Sequence, residues 1–169
     1  MTDGSAMMPN VVSPFTVARN PNQGLYKRVL CVCSGGILRS PTAAWVLGND
    51  PYNFNTRSAG AHDEYALTIV DEPIVAWADE IVCMMPEHAI DLRERFKARQ
   101  LPPFRTLYIP DEYRYRDPEL VKLIKSAYEA TDEQNKARYD VELQAWLDRE
   151  LEFKRRTEMA RIDEEVLPW

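Results

Sequence analysis

The chain has 169 residues, 45% of them hydrophobic and 28% charged, with 21 Lys and Arg against 27 Asp and Glu for a net charge of −6. That length suits one domain with its own core, and the acidic balance excludes a general nucleic-acid or anionic-membrane binder, whose affinity comes from clustered Lys and Arg. Three cysteines, Cys31, Cys33 and Cys83, exclude a disulfide framework and fit a reducing compartment, and no apolar run approaches the ~20 residues of a membrane span.

Residues 1–24, with three prolines and two glycines, have no periodicity and no charged-then-apolar leader pattern. They read as a flexible N-terminal arm, and the location expected is the cytoplasm. Arg28 to Cys33 is a short run apolar on both faces, as in a central strand of a parallel sheet. After a loop, Ser40 as N-cap and Pro41 as the first helical residue open a helix through Leu47. Phe54 to Ser58 reads as a second strand, Asp71 to Ala78 as a helix and Glu80 to Met84 as a third strand. Glu87 to Gln100 reads as a helix opened by Pro86, and Arg105 to Ile109 as a fourth strand. The alternation predicts an α/β domain over residues 25–118, a four-stranded parallel sheet flanked by helices in a Rossmann-like arrangement. Ligands of such sheets bind beyond the carboxyl ends of the strands.

From Pro118 the chain loses glycine and gains Glu, Lys, Arg, Leu and Ala. Residues 119–169 carry nine basic and 13 acidic groups, against 12 and 14 before them. Two helices are expected in this C-terminal extension: Pro118 to Ala130, capped by Asp117, and a second from about Thr131 to Glu165. The apolar stripe Tyr139, Leu143, Trp146, Leu147, Leu151, Met159 and Ile162 must bury against the domain or another chain, the domain being the ordinary case. A homodimer through these helices is the other arrangement.

The segment Cys33-Ser34-Gly35-Gly36-Ile37-Leu38-Arg39-Ser40 carries the chemistry. A cysteine ends a strand, and an arginine six positions on closes a glycine-containing loop that opens a helix. Successive amides of such a loop form a positive nest, and the helix dipole points into it. Arg39 adds a bidentate fork for two phosphate oxygens. A dianion the size of phosphate fits this field, which also favours a thiolate over a thiol. The alternative is that Cys33 is a small buried apolar residue. A nucleotide-binding loop is excluded, since it would need Gly-x4-Gly-Lys-Ser/Thr and no such lysine exists.

These residues resemble the low-molecular-weight protein tyrosine phosphatases, whose signature is a strand, Cys-x-Gly-Asn-x-x-Arg-Ser-Pro and a helix. The likeness continues in Arg57-Ser58-Ala59-Gly60-Ala61, in Trp77-Ala78-Asp79-Glu80-Ile81-Val82-Cys83-Met84, and in Tyr108-Ile109-Pro110-Asp111-Glu112-Tyr113. It spans about residues 26–117 and is greatest to a compact bacterial or phage-type branch. The resemblance implies hydrolysis of phosphotyrosine or aryl phosphates through a phosphocysteine. Cys33 would be the nucleophile, Arg39 and the amides of Ser34, Gly35, Gly36, Ile37 and Leu38 the oxyanion clamp, and Ser40 the thiolate's hydrogen-bond partner. Asp111 would be the acid, preferred over Asp117 because the latter reads as a helix cap, and Tyr113 would wall the cleft. No metal or cofactor is expected; His62 and His88 lack ligand spacing. The partner expected is a phosphorylated protein or a small aryl phosphate.

Two departures stand out. The family asparagine is Gly36, which keeps access to a left-handed backbone but loses the side chain's bonds. The family's second cysteine is Leu38, so its neighbouring disulfide cannot form. A phosphate- or phosphopeptide-binding module with little turnover is a second reading. An arsenate reductase is a third, weakened because only Cys83 lies downstream to relay a disulfide.

Overall fold

The computed structural model describes residues 25–165, so the expected arm and the last four residues lie outside the described residues. Four strands, β1 (Arg28–Cys33), β2 (Asn55–Gly60), β3 (Glu80–Cys83) and β4 (Phe104–Thr106), form one all-parallel sheet in the order β2-β1-β3-β4. The helices are α1 (Arg39–Leu47), α2 (Glu72–Trp77), α3 (Pro86–Arg95), α4 (Pro118–Glu129) and α5 (Asp132–Glu165).

β1 is central and its alternate residues feed two cores. Val29, Cys31 and Cys33 pack with Ala43, Val46 and Leu47 of α1 and Leu120, Ile124 and Ala127 of α4. Leu30 and Val32 face the other layer, with Val75 of α2 and Ala89 and Leu92 of α3. Both faces of the sheet are thus covered, which is why β1 reads as a continuous apolar run. Because α4 supplies three buried side chains to the first core, the compositional change at residue 118 is not the edge of the packed core.

Several boundaries differ from the sequence reading. α1 begins at Arg39 with Leu38 as its N-cap and no capping side chain, so Ser40 is not the cap. Pro41 sits within the first turn, where a missing N–H costs no helical bond. β4 is shorter than expected because Tyr108 takes a positive φ of 53°, although the Leu107 and Ile109 amides still donate to Cys83 and Met84 carbonyls. α3 ends at Arg95, five residues early, with Phe96 as its C-cap. The caps of the last two helices are as expected: Asp117 accepts from the Glu119 amide at 2.9 Å, and Thr131 and Gln134 cap each other's amides at the start of α5.

The expectation that the α5 stripe closes onto the domain is not met. Among its described side chains only those of the first turns pack, through buried Asn135, which donates to Thr106 and Ala127 carbonyls, and Arg138, which donates to Leu107 and Tyr108 carbonyls. Leu143, Trp146, Leu147, Leu151 and Met159 are all exposed, and the Ile162 side chain lies outside the described residues. At 1.5 Å per residue a 34-residue helix runs about 50 Å, well past the sheet it starts from. No helix among the described residues is long and apolar enough to cross a membrane.

Candidate active site

β1 delivers Cys33 to the carboxyl edge of the sheet, where its side chain is almost fully buried. Two groups address its sulfur. The Gly36 amide donates to Sγ at 3.3 Å, and Ser40 Oγ lies 3.1 Å from Sγ and 3.3 Å from the Ala59 carbonyl. Released from capping, the Ser40 hydroxyl therefore serves the cysteine from inside the first turn of α1.

The loop between them is closed by backbone packing. Gly36 has φ +69°, in the left-handed region, and a Cβ there would stand 2.7 Å from the Gly60 nitrogen and 2.9 Å from the Ala59 carbonyl carbon. The loop is thus seated directly on the end of β2. At Gly60 the approach is mutual: a Cβ would meet the Gly35 carbonyl carbon and the Ser34 oxygen at 2.7 Å.

Arg39 is 3% exposed and each nitrogen of its guanidinium is engaged. One terminal nitrogen donates to the Ile109 carbonyl at 2.9 Å, the other to Ser34 Oγ at 3.3 Å, and Nε pairs with Asp111 Oδ1 at 3.0 Å. Asp111 itself is largely exposed, so it can leave this pairing by rotating toward solvent. Cys33, Ser34, Gly35, Ile37, Leu38, Arg39, Tyr65 and Asp111 line one open cavity of about 190 Å³. The structure therefore brings together seven of the residues singled out in the sequence. Gly36 and Ser40 lie behind them, against the sulfur.

Tyr113 is not in the cavity wall. It turns back to pack, half-buried, against the core beneath α1 and α4, where burial raises its phenol first and the nearby Glu142 and Glu112 raise it further. Asp117 is occupied as the α4 cap, which leaves Asp111 as the carboxylate at the site.

Sequence reasoning missed two residues. Tyr65 supplies the wall expected from Tyr113; its ring stacks on His62 at 5.2 Å, and its loop is tied down by the Leu67 amide donating to the Gly35 carbonyl. Nothing periodic in residues 61–70 marks it. His88, in the first turn of α3, is buried, with Nδ1 accepting from the Met85 amide at 3.2 Å and Nε2 3.0 Å from Ser34 Oγ. Burial foremost, and then the Arg39 and His62 charges, push its imidazole down to about 4, so it is neutral at pH 7. Cys31 and Cys83 are fully buried free thiols that burial pushes up, which leaves them inert beside Cys33. Among the described residues no three His, Cys, Asp or Glu side chains gather as a metal site.

No protein-family model and no curated protein matches the sequence. Among solved structures the chain is similar to YfkJ from Bacillus subtilis, at 22% identity over 71% of this chain and 98% of that one, with a TM-score of 0.47. It is similar also to the YwlE arginine phosphatase from Geobacillus stearothermophilus, at 20% identity over 72% and 96%, TM-score 0.40. A third is Vibrio vulnificus Wzb in complex with benzylphosphonate, at 20% identity over 68% and 98%, TM-score 0.45.

Proposed function

We propose that the chain is a cysteine-dependent phosphatase of the low-molecular-weight type, acting on phosphotyrosine or other aryl phosphates. The observation that carries this reading is the convergence of Cys33 Sγ, the Arg39 guanidinium and the Asp111 carboxylate on one cavity at the carboxyl edge of the sheet. A nucleophile, an oxyanion clamp and a proton donor are the parts that phosphoryl transfer through a covalent intermediate requires.

In the resting site Asp111 holds the Arg39 Nε that an incoming phosphoryl group needs. A dianion displaces the carboxylate from the fork because it offers two oxygens in bidentate geometry. Freed from the guanidinium, Asp111 then faces the group's outer side, toward the leaving oxygen. The Cys33 thiolate attacks phosphorus; the S–P bond forms as the bond to the leaving oxygen breaks, and Asp111 protonates that oxygen. Water then attacks phosphorus, Asp111 takes its proton, and the S–P bond breaks to return the thiolate and inorganic phosphate. Ser40 and the Gly36 amide steady the sulfur in both thiolate states. Ile37, Leu38 and Tyr65 provide an apolar wall suited to an aryl ring.

The test is hydrolysis of phosphotyrosine, phosphoserine and phosphoarginine peptides by the native chain and by Cys33→Ser. Phosphotyrosine should be cleaved fastest, and Cys33→Ser should lose activity by about 10³-fold or more. Faster cleavage of phosphoarginine would redirect the substrate assignment. Phosphate binding without turnover would make the chain a binding module, and full activity in Cys33→Ser would overturn the mechanism.

A further inference from the structure

We propose that the Ser34 side-chain hydroxyl is itself a hydrogen-bond donor to the bound phosphoryl group, and that His88 is the positioning residue that aims it. The inference rests on the phosphatase reading of the cavity and adds a donor that the loop's backbone does not supply.

The Met85 amide donates to His88 Nδ1, so that nitrogen carries a lone pair and the neutral ring holds its proton on Nε2. His88 Nε2–H therefore donates to Ser34 Oγ, 3.0 Å away. The Arg39 guanidinium, which has only donors, gives a second hydrogen to the same oxygen at 3.3 Å. A hydroxyl has two lone pairs and one hydrogen, so both acceptor positions of Ser34 are filled from the protein. Its remaining function is to donate, and no acceptor among the described residues takes that hydrogen.

Ser34 lines the cavity together with Cys33 and Arg39. The group expected there, a phosphoryl dianion, is all acceptor. It would satisfy the one donor left over and receive a charge-assisted bond. His88 has no reach to the cavity wall of its own, since it is buried behind Ser34, and it acts only through the serine. The two residues lie 54 positions apart in sequence, and α3 brings them together by starting at the edge where β1 also ends. Arg39 depends less on this contact, because the Ile109 carbonyl and Asp111 hold its other nitrogens.

The experiment measures kcat and KM for a phosphotyrosine peptide, and the Kd of inorganic phosphate by calorimetry. It uses the full chain, Ser34→Ala, Ser34→Thr, His88→Ala, His88→Gln and the Ser34→Ala/His88→Ala pair. Ser34→Ala should lower kcat/KM about 10- to 100-fold, the loss of one hydrogen bond to a charged group, and weaken phosphate binding in parallel. Ser34→Thr, which keeps the hydroxyl, should restore most of both. His88→Ala should cost about three- to tenfold when Ser34 is present and nothing once it is gone, with His88→Gln recovering part through its own N–H donor. A structural role for His88 would instead cost the same in both backgrounds. Unchanged kcat/KM and phosphate affinity in Ser34→Ala, or additive losses in the pair, overturn the proposal while leaving the phosphatase reading intact. A native chain that neither binds phosphate nor hydrolyses the peptide overturns both.

Discussion

Gly36→Ala tests whether the loop takes the conformation described. The new methyl would sit at φ +69° and meet the Gly60 nitrogen at 2.7 Å and the Ala59 carbonyl carbon at 2.9 Å. The left-handed backbone costs an alanine about 1–2 kcal/mol. Inserting a methyl against backbone adds about 1–3 kcal/mol, because β2 is held in the sheet and cannot yield as a side-chain tip would. The stiffer unfolded chain returns about 0.4–1 kcal/mol. The net is near 3 kcal/mol, or a drop of about 10 °C in Tm for a domain of this size. Gly35→Ala is the internal control, since its methyl would meet side chains and no backbone, the movable end of Ile37 at 3.3 Å and the Tyr65 ring at 3.5 Å, and should shift stability by less than about 1 kcal/mol. Gly36→Asn separates the two costs: asparagine tolerates the left-handed backbone, so what remains is the clash alone. Urea denaturation of the three variants reads the differences. A Gly36→Ala protein within about 0.5 kcal/mol of the native one would refute the packing of the loop on β2.

Asp111→Asn should slow substrates with poor leaving groups most, by about 10²-fold or more, and activated aryl phosphates least; steady-state rates across a leaving-group series check this. The imidazole of His88 lies near 4 in the folded chain against an ordinary value of 6.5, so the unfolded state binds the extra proton between those values. Its contribution to stability is thus full above pH 6.5 and is lost as pH falls toward 4, up to about 3 kcal/mol at 1.36 kcal/mol per unit. Denaturation at pH 4.5 and 7 should show this loss in the native chain and a smaller one in His88→Gln. Leu147→Ser and Leu151→Ser on exposed α5 should change stability by less than about 0.5 kcal/mol, whereas Leu120→Ala, fully buried on α4, should cost about 2–5 kcal/mol in the same assay.

Much of the site was legible because it is local. Cys33 and Arg39 lie within one strand–loop–helix unit, and the run apolar on both faces from Arg28 to Cys33 marks a doubly covered strand. Asp117 and Thr131 announced their helices because a cap acts on amides two or three residues away. The same local logic misassigned Ser40. Its position before a proline looks like a cap, yet a sulfur seven residues back and a carbonyl on β2 compete for the hydroxyl. The α5 stripe misled for a related reason: periodicity says which side of a helix is apolar, while the helix's length and exit direction decide whether anything covers it.

By itself the sequence determined the parallel α/β architecture and the pairing of Cys33 with Arg39 across one loop, since both follow from periodicity and spacing along the backbone. Only the tertiary structure decided which side chains meet across it. Parallel crossovers bring the ends of β1, β2 and β3 to one edge, so Gly60 seats Gly36, Tyr65 replaces Tyr113 as the wall, and His88 reaches Ser34. Those contacts span 24 to 54 residues, and none leaves a mark in the pattern of either segment alone.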